Sequence, residues 1–415
     1  MKKRLFFSLI TLLSVFSSRA YDFKVDGIYY NIMLLEFVDK DEVAVTYEEE
    51  HVPSYFGSVV IPATVTYEGV TYSVGNIGEK AFYDCRGLTS VVIPESVTSI
   101  RDFAFVNCSG LTTVVIPENV TRIGTQAFLN CSGLTTVVIP DNVTGIGFEA
   151  FFHCFGIRNP LYNGSVFAYM PTNYSGEYVI PSGIQTISGG AFGECRDLTS
   201  ITIPESVTSI GMYAFSRCSG LTSVTSWAKR PPICGRWVFE DCGDATLYVP
   251  YGSKTAYAEG EWKTFSKIKE IATVTAQAND ETMGSVIGGG QYKIDEKITL
   301  EAIPNDGYHF EKWDDGNTDN PRLLTVTCDV VLTAMFTKDV PTPPTANESA
   351  LSAAPIAYVQ GRTAYLADGL GEVEAFTSTG QRVYRGFDRT VTLPRPGVYI
   401  LRVVADGRRC KVVVR

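Results

Sequence analysis

Histidine is nearly absent from this chain, with three in 415 residues, at His51, His153 and His309. No nucleophile, base and acid can be assembled around them, and no two are spaced as metal ligands, so neither a hydrolytic triad nor a histidine metal site is predicted. Charged residues are scarce at 19%. None of the ten cysteines falls in a Cys-x-x-Cys pair, which removes the usual zinc spacing. Gly288-Gly289-Gly290 lacks the strand–helix context and the following Lys-Ser/Thr of a phosphate loop, and reads as a turn. Beyond Phe16 no apolar run approaches a membrane span. The net charge of −10 is uneven: residues 1–20 hold +4 and residues 349–415 hold +5, leaving −19 on 21–348. Such an acidic body repels nucleic acid and anionic lipid. No cofactor and no catalysis are expected.

What is abundant is aromatic, glycine and β-branched sequence, preceded by an export signal. Met1-Lys2-Lys3-Arg4 is a basic start, Leu5 to Phe16 a short apolar stretch, and Ser18-Arg19-Ala20 a small-residue cleavage site. Residues 1–20 are therefore expected to be removed, and the mature chain to leave the cytoplasm.

A repeat dominates the next 250 residues. Cys85, Cys108, Cys131 and Cys154 recur every 23 positions, as do Cys195 and Cys218, with Cys242 one residue late. Each follows a phenylalanine by three: Phe82, Phe105, Phe128, Phe151, Phe192, Phe215 and Phe239. Ile-Pro pairs keep the same beat at Ile93-Pro94, Ile116-Pro117, Ile139-Pro140, Ile180-Pro181 and Ile203-Pro204. Leu111, Val114 and Ile116 fit one short strand with its apolar side inward, which Pro117 ends. Val120, Ile123, Phe128 and Cys131 return the chain over the other side of the core. Eight apolar side chains cannot offset the ordering of 23 residues, so the units must stack and share one core. Residues 21–58 and 227–271 are expected to cap the open ends, the latter with Trp227, Trp237 and Trp262 as plugs.

The unit Ile-Pro-x-x-Val-Thr-x-Ile-Gly-x-x-Ala-Phe-x-x-Cys resembles the BspA-like leucine-rich repeat family, and the resemblance covers residues 21–270. Leu247-Tyr248-Val249-Pro250-Tyr251-Gly252 is similar to the closing segment of such proteins. The resemblance implies surface display, adhesion to host matrix proteins and coaggregation with other cells. The expected fold class is mainly β: a leucine-rich-repeat solenoid followed by two small β-domains.

Residues 271–338 change period. Thr273-Val274-Thr275-Ala276 and Ile298-Thr299-Leu300-Glu301-Ala302 alternate as strands. With Gly307-Tyr308-His309-Phe310-Glu311-Lys312-Trp313 and Leu332-Thr333-Ala334-Met335-Phe336, the segment resembles a divergent internalin-type B-repeat. Residues 339–348 read as a stiff proline-rich linker. Residues 349–415 read as six or seven strands with turns at Asp368-Gly369, Thr379-Gly380 and Asp406-Gly407. Gly380-Gln381-Arg382-Val383, Pro396-Gly397-Val398-Tyr399-Ile400-Leu401-Arg402-Val403 and Lys411-Val412-Val413-Val414-Arg415 resemble a type IX secretion sorting domain, although Cys410 departs from its pattern. That resemblance implies recognition by secretion machinery at a Gram-negative outer membrane and attachment at the cell surface.

Ten cysteines in an exported chain suggest disulfides. Seven of them, however, occupy one equivalent place one rung apart, where their side chains run parallel, so free buried thiols are expected, with Cys234 and Cys242 as the pair best placed for a bridge. Asp314-Asp315-Gly316-Asn317-Thr318-Asp319 reads as an acidic turn, with calcium as the competing reading.

Two surfaces are candidates for binding. Thr112, Thr113 and Val115, Thr135, Thr136 and Val138, Thr199, Ser200 and Thr202, and Thr222, Ser223 and Thr225 point outward as an uncharged sheet face. It reads equally as a ligand surface or as β-propensity on a solvated strand. The stretch between Cys154 and Ile180 is 18 residues too long and holds Tyr162, Phe167, Tyr169, Tyr174 and Tyr178. Those rings either meet a ligand or pack the inserted hairpin. Extracellular host or bacterial proteins are the expected partners, and a glycan is the alternative.

Overall fold

The computed structural model describes residues 20–33, 41–50, 52–339, 356–367, 369–405 and 407–414. All of the export signal at 1–20 except Ala20, together with His51 and the linker residues 340–348, lies outside these. The chain divides into two compact units, residues 1–249 with 253–268, and residues 250–252 with 269–415. Strand makes up 43% of the protein, and the first unit is a β-solenoid of about nine turns.

Each turn of the solenoid has two strand rows and a connecting wall. The broad row runs Gly57–Val60, Leu88–Val92, Thr113–Val115 and Thr136–Val138, paired in parallel. After the insertion it resumes as Gly176–Val179, Leu198–Ile203, Ser223–Ser226 and Thr246–Pro250. Opposite stands a narrow row, including Ser99–Ile100, Arg122–Ile123 and Gly145–Ile146, then Thr186–Ile187, Ser209–Ile210 and Ile233–Cys234. Alternation along the broad strands turns Val114 inward and leaves Val115 outside, while Leu111, just before the strand, is buried as well.

The wall carries the periodic phenylalanines and cysteines. Phe82, Phe105, Phe128 and Phe151 stack at 4.8, 4.9 and 5.2 Å, with ring planes within 5° of parallel. Backbone bonds knit the same wall, Phe82 N–H to Ala104 O and Phe105 N–H to Ala127 O, both at 2.7 Å. The cysteines add a ladder of their own. The thiols of Cys108, Cys131, Cys154, Cys218 and Cys242 donate to the carbonyls of Phe82, Phe105, Phe128, Phe192 and Phe215 at 2.9–3.1 Å. All ten cysteines are free. That corrects the expectation for Cys234 and Cys242: Cys234 takes an isoleucine's place in the narrow row, in register with Ile210, while Cys242 belongs to the wall.

Both ends are closed by aromatic side chains. Tyr55 is buried, its ring 4.6 Å from Phe82, and its hydroxyl donates to Thr46 O at 2.6 Å. Strands Phe23–Val25, Ile28–Ile32 and Glu42–Thr46 extend the sheet beyond it. At the far end Trp262 and Phe265 pack on Phe239 at 5.0 and 4.8 Å, and Tyr257 donates to Ala228 O. Trp237, expected as a third plug, is 46% exposed instead.

The second unit holds two large apolar clusters and a small one of Ile287, Ile303 and Ile400. One large cluster, around Leu300, Trp313 and Phe336, belongs to a β-module whose first and last strands in the chain, Lys267–Ala278 and Val330–Lys338, pair in parallel. Asp315 in its acidic turn accepts two bonds from Arg322, at 2.9 and 2.6 Å, so a guanidinium occupies the carboxylate for which calcium was the competing reading. The other large cluster fills a seven-stranded domain between Ala357 and Val414, in sheets of three and four strands. Within this unit Glu301 is buried against Arg402 and Arg409.

Candidate functional site

The inserted segment does not project as a binding loop. Val166–Tyr169 joins the narrow row through Thr186–Ile187, and Gly176–Val179 joins the broad one. Phe167 is fully buried and stacks on Phe192 at 4.6 Å, continuing the wall's ring stack. Tyr169 is 2% exposed, and burial pushes its hydroxyl pKa well up. Tyr174 and Tyr178 are half-buried, edge to face at 5.5 Å, and pack on the same core. Of the five rings, Tyr162 alone is largely open, at 43%. The proposed ligand role of Phe167 and Tyr169 is therefore corrected: the segment supplies its own rung and needs their apolar surface to fill it.

The broad row offers a different surface. Val60, Val92, Val115 and Val138 are 64, 53, 75 and 69% exposed. Val60 pairs with Val92 and Val115 with Val138, and Val91 pairs with Val114, so the four form one column across neighbouring strands. Two residues back runs a parallel column of hydroxyls, Ser58, Ser90, Thr113 and Thr136, with Ser58 and Ser90 joined at 2.8 Å. Thr135 donates to Thr112 O at 3.1 Å and Thr222 to Thr199 O at 3.0 Å, which fixes the outer threonines to the ladder. With strands about 4.8 Å apart, the columns span roughly 15 Å without a charge between them. Glu95, Glu118 and Asp141, just past the Ile-Pro pairs, border the strip as an exposed acidic rail.

The sequence reading found Val115 and Val138 but not Val60 and Val92, which occupy the same strand place. It also missed the connecting wall's outer face, where Phe148, Tyr213 and Trp237 form a row of rings 5.8 and 5.2 Å apart. No single unit shows that row, because it uses the variable positions of three turns. Among the described residues no group of histidine, cysteine or acidic side chains is placed to hold a metal ion.

The profile of the family described as the BspA type leucine rich repeat region matches residues 64–170 and 165–286, with six copies. That of the divergent InlB B-repeat domain matches residues 273–340. Neither is an enzyme family. Solved structures similar to the chain include the leucine rich repeat protein of T. pallidum, 24% identical, covering 53% of this chain and 88% of that one at a TM-score of 0.37. A leucine-rich repeat protein from Bacteroides capillosus is 31% identical over 34% of this chain and 96% of its own, at a TM-score of 0.29. A leucine rich cell surface protein from Faecalibacterium prausnitzii is 21% identical over 62% and 90%, at a TM-score of 0.27. No curated protein matches the chain.

Proposed function

Since the chain belongs to the BspA-type leucine-rich repeat family, we propose that it is a cell-surface adhesin that holds host or bacterial proteins against the broad strand face of its solenoid. The observation that carries this reading is the valine column. Contiguous exposed apolar area on a soluble protein is costly to leave in water, and its usual use is contact with a partner. Covering one such valine stabilises a complex by about 1.5–3 kcal/mol. Unlike the acidic body around it, the strip repels neither charge.

The pair Val92→Glu and Val115→Glu tests the reading, since both side chains are exposed and neither supports the core. In a solid-phase assay with the chain and a panel of extracellular matrix proteins and partner cells, the double variant is expected to lose at least tenfold in affinity. Equal binding by variant and parent, or no saturable binding by the parent, rejects it. The glycan alternative rests on the exposed rings of Phe155 and Tyr162, at 53 and 43%. A glycan array separates the two, since a protein adhesin leaves it blank.

Surface display is part of the same proposal. The export signal and the resemblance of residues 349–415 to a sorting domain support it, as does the surface naming of the F. prausnitzii relative. Among the described residues no helix is long and apolar enough to cross a membrane. Deleting residues 349–415 is expected to leave the protein in the periplasm, read by protease accessibility of intact cells. Normal exposure of the truncated chain refutes a sorting role.

A further inference from the structure

From the connecting wall of the solenoid we infer a second site, a notch that takes a lysine or arginine side chain of a partner protein. The turn Ser188-Gly189-Gly190-Ala191-Phe192-Gly193-Glu194 replaces three surface side chains by glycine. It lies between two turns that do not: Glu149 N–H donates to Gly189 O at 2.9 Å, and Gly190 N–H to Met212 O at 3.0 Å. The missing side chains leave a cavity of about 290 Å³. Phe148 and Phe152 wall it on one side and Tyr213 on the other, with Glu149, Glu194, Arg217 and Glu240 around them.

Side chains at these glycines would press on the walls of the notch. A Cβ at Gly189 would stand 3.0 Å from the Phe148 ring, one at Gly190 2.9 Å from Glu149 Cγ, and one at Gly193 3.2 Å from the Phe152 ring. Gly190 also has φ of +71°. At the same place the adjoining turns hold Glu149 and Tyr213 in that left-handed conformation, so backbone shape alone does not demand glycine here. Space favours it.

Charge and ring geometry decide the ligand class. Three carboxylates face one guanidinium, and Arg217 is already committed to Glu194 at 2.9 Å. Glu149 accepts from the Gln126 amide at 2.7 Å, a neutral partner that brings no counter-charge. His153 stands at the edge, 3.8 Å from Glu194 and hydrogen-bonded to Asn130. The excess negative charge and the negative faces of the rings act with one sign, so a cation is attracted by both. A neutral sugar prefers a flat ring and free donors. Here Phe148 and Tyr213 meet at 44°, forming a corner, and the one strong donor is spent.

The carrier of that side chain follows from the adhesin reading, but the notch itself can be tried alone. The probe is Nα-acetyl-lysine methylamide added to the full chain, followed by saturation-transfer NMR and Trp237 fluorescence. Binding in the millimolar range is expected, with at least a tenfold loss when the lysine is Nε-acetylated and again in the Glu149→Gln, Glu240→Gln double variant. Both substitutions are isosteric, and circular dichroism checks that the fold is kept. Raising sodium chloride to 0.5 M is expected to weaken binding severalfold. A blank titration, equal binding of the Nε-acetylated probe, or preferential binding of N-acetylglucosamine overturns the inference. If partner capture persists while the probe is blank, the notch falls and the adhesin reading stands. Loss of capture in the strand-face variant with probe binding intact does not touch the notch.

Discussion

Phe128→Ala is expected to lower the unfolding free energy of the solenoid by about 3–5 kcal/mol, read from the midpoint of urea denaturation. Its ring is fully buried and lies between Phe105 at 4.9 Å and Phe151 at 5.2 Å. The truncation therefore removes the transfer energy of a large side chain and opens a void between two rings that the backbone holds apart. Phe128 N–H still donates to Ala150 O, so the turn cannot simply collapse into the gap. Each stacked aromatic pair contributes about 0.5–1.5 kcal/mol beyond its area, and two pairs are lost. Because a turn touches only its neighbours, the damage falls on both interfaces at once. Phe56→Ala is the control: that ring is 67% exposed and should cost well under half as much. Similar losses for the two would mean the ring stack does not carry the wall.

The thiols of the wall are expected to be nearly inert to iodoacetamide at pH 8 in the folded protein and fully reactive in urea. Burial raises the pKa of Cys85, Cys108, Cys154 and Cys195, the last to about 12. At Cys218 the adjacent Cys242 thiol raises it first and burial second. Only the thiolate is alkylated. At pH 8 a thiol of pKa about 12 is ionised to roughly one part in 10⁴, against about a quarter for an unfolded cysteine, so the rate falls on the order of 10³-fold before access is counted. The sign follows directly: raising pH toward 12 restores reactivity, and lowering it deepens protection. Cys328, half-exposed in the second unit, should label first. Mass spectrometry of tryptic peptides reads each site, and prompt native labelling of Cys131 or Cys154 would contradict the burial that holds the ladder together.

The 23-residue beat was enough to place the broad strand row and the returning wall, because one apolar pattern repeated seven times admits one way of sharing a core; the narrow row, two residues per turn, is too short to show as a strand pattern. The same regularity misled at its interruption. Phe167 lies 25 positions before Phe192, close to the repeat length, and that spacing was the available sign that it belongs to the ring stack. Counted as one of several extra aromatics, it could be read either as a contact residue or as packing for the inserted hairpin. The cysteine pair failed for a related reason: nearness in sequence says nothing about which wall of a turn each residue occupies. Trp237 was assigned to the plug on size alone, yet its place two residues before Phe239 matches Tyr213 and Glu149, both outward. The notch could not be read from any single unit, since its floor is an absence of side chains and its walls come from the turns on either side.

The wall that joins Phe82 to Phe105 is chemically the same as the one that joins Phe105 to Phe128: ring on ring, thiol to carbonyl, amide to carbonyl. A gene encoding such turns can lose or duplicate one whole coil by unequal recombination and still present matching surfaces at the new junction. Length is thus a heritable variable, and the number of turns can change without inventing a fold. The seam around residues 155–180 is the exception, because its two sides are not interchangeable, and it marks where that freedom stops.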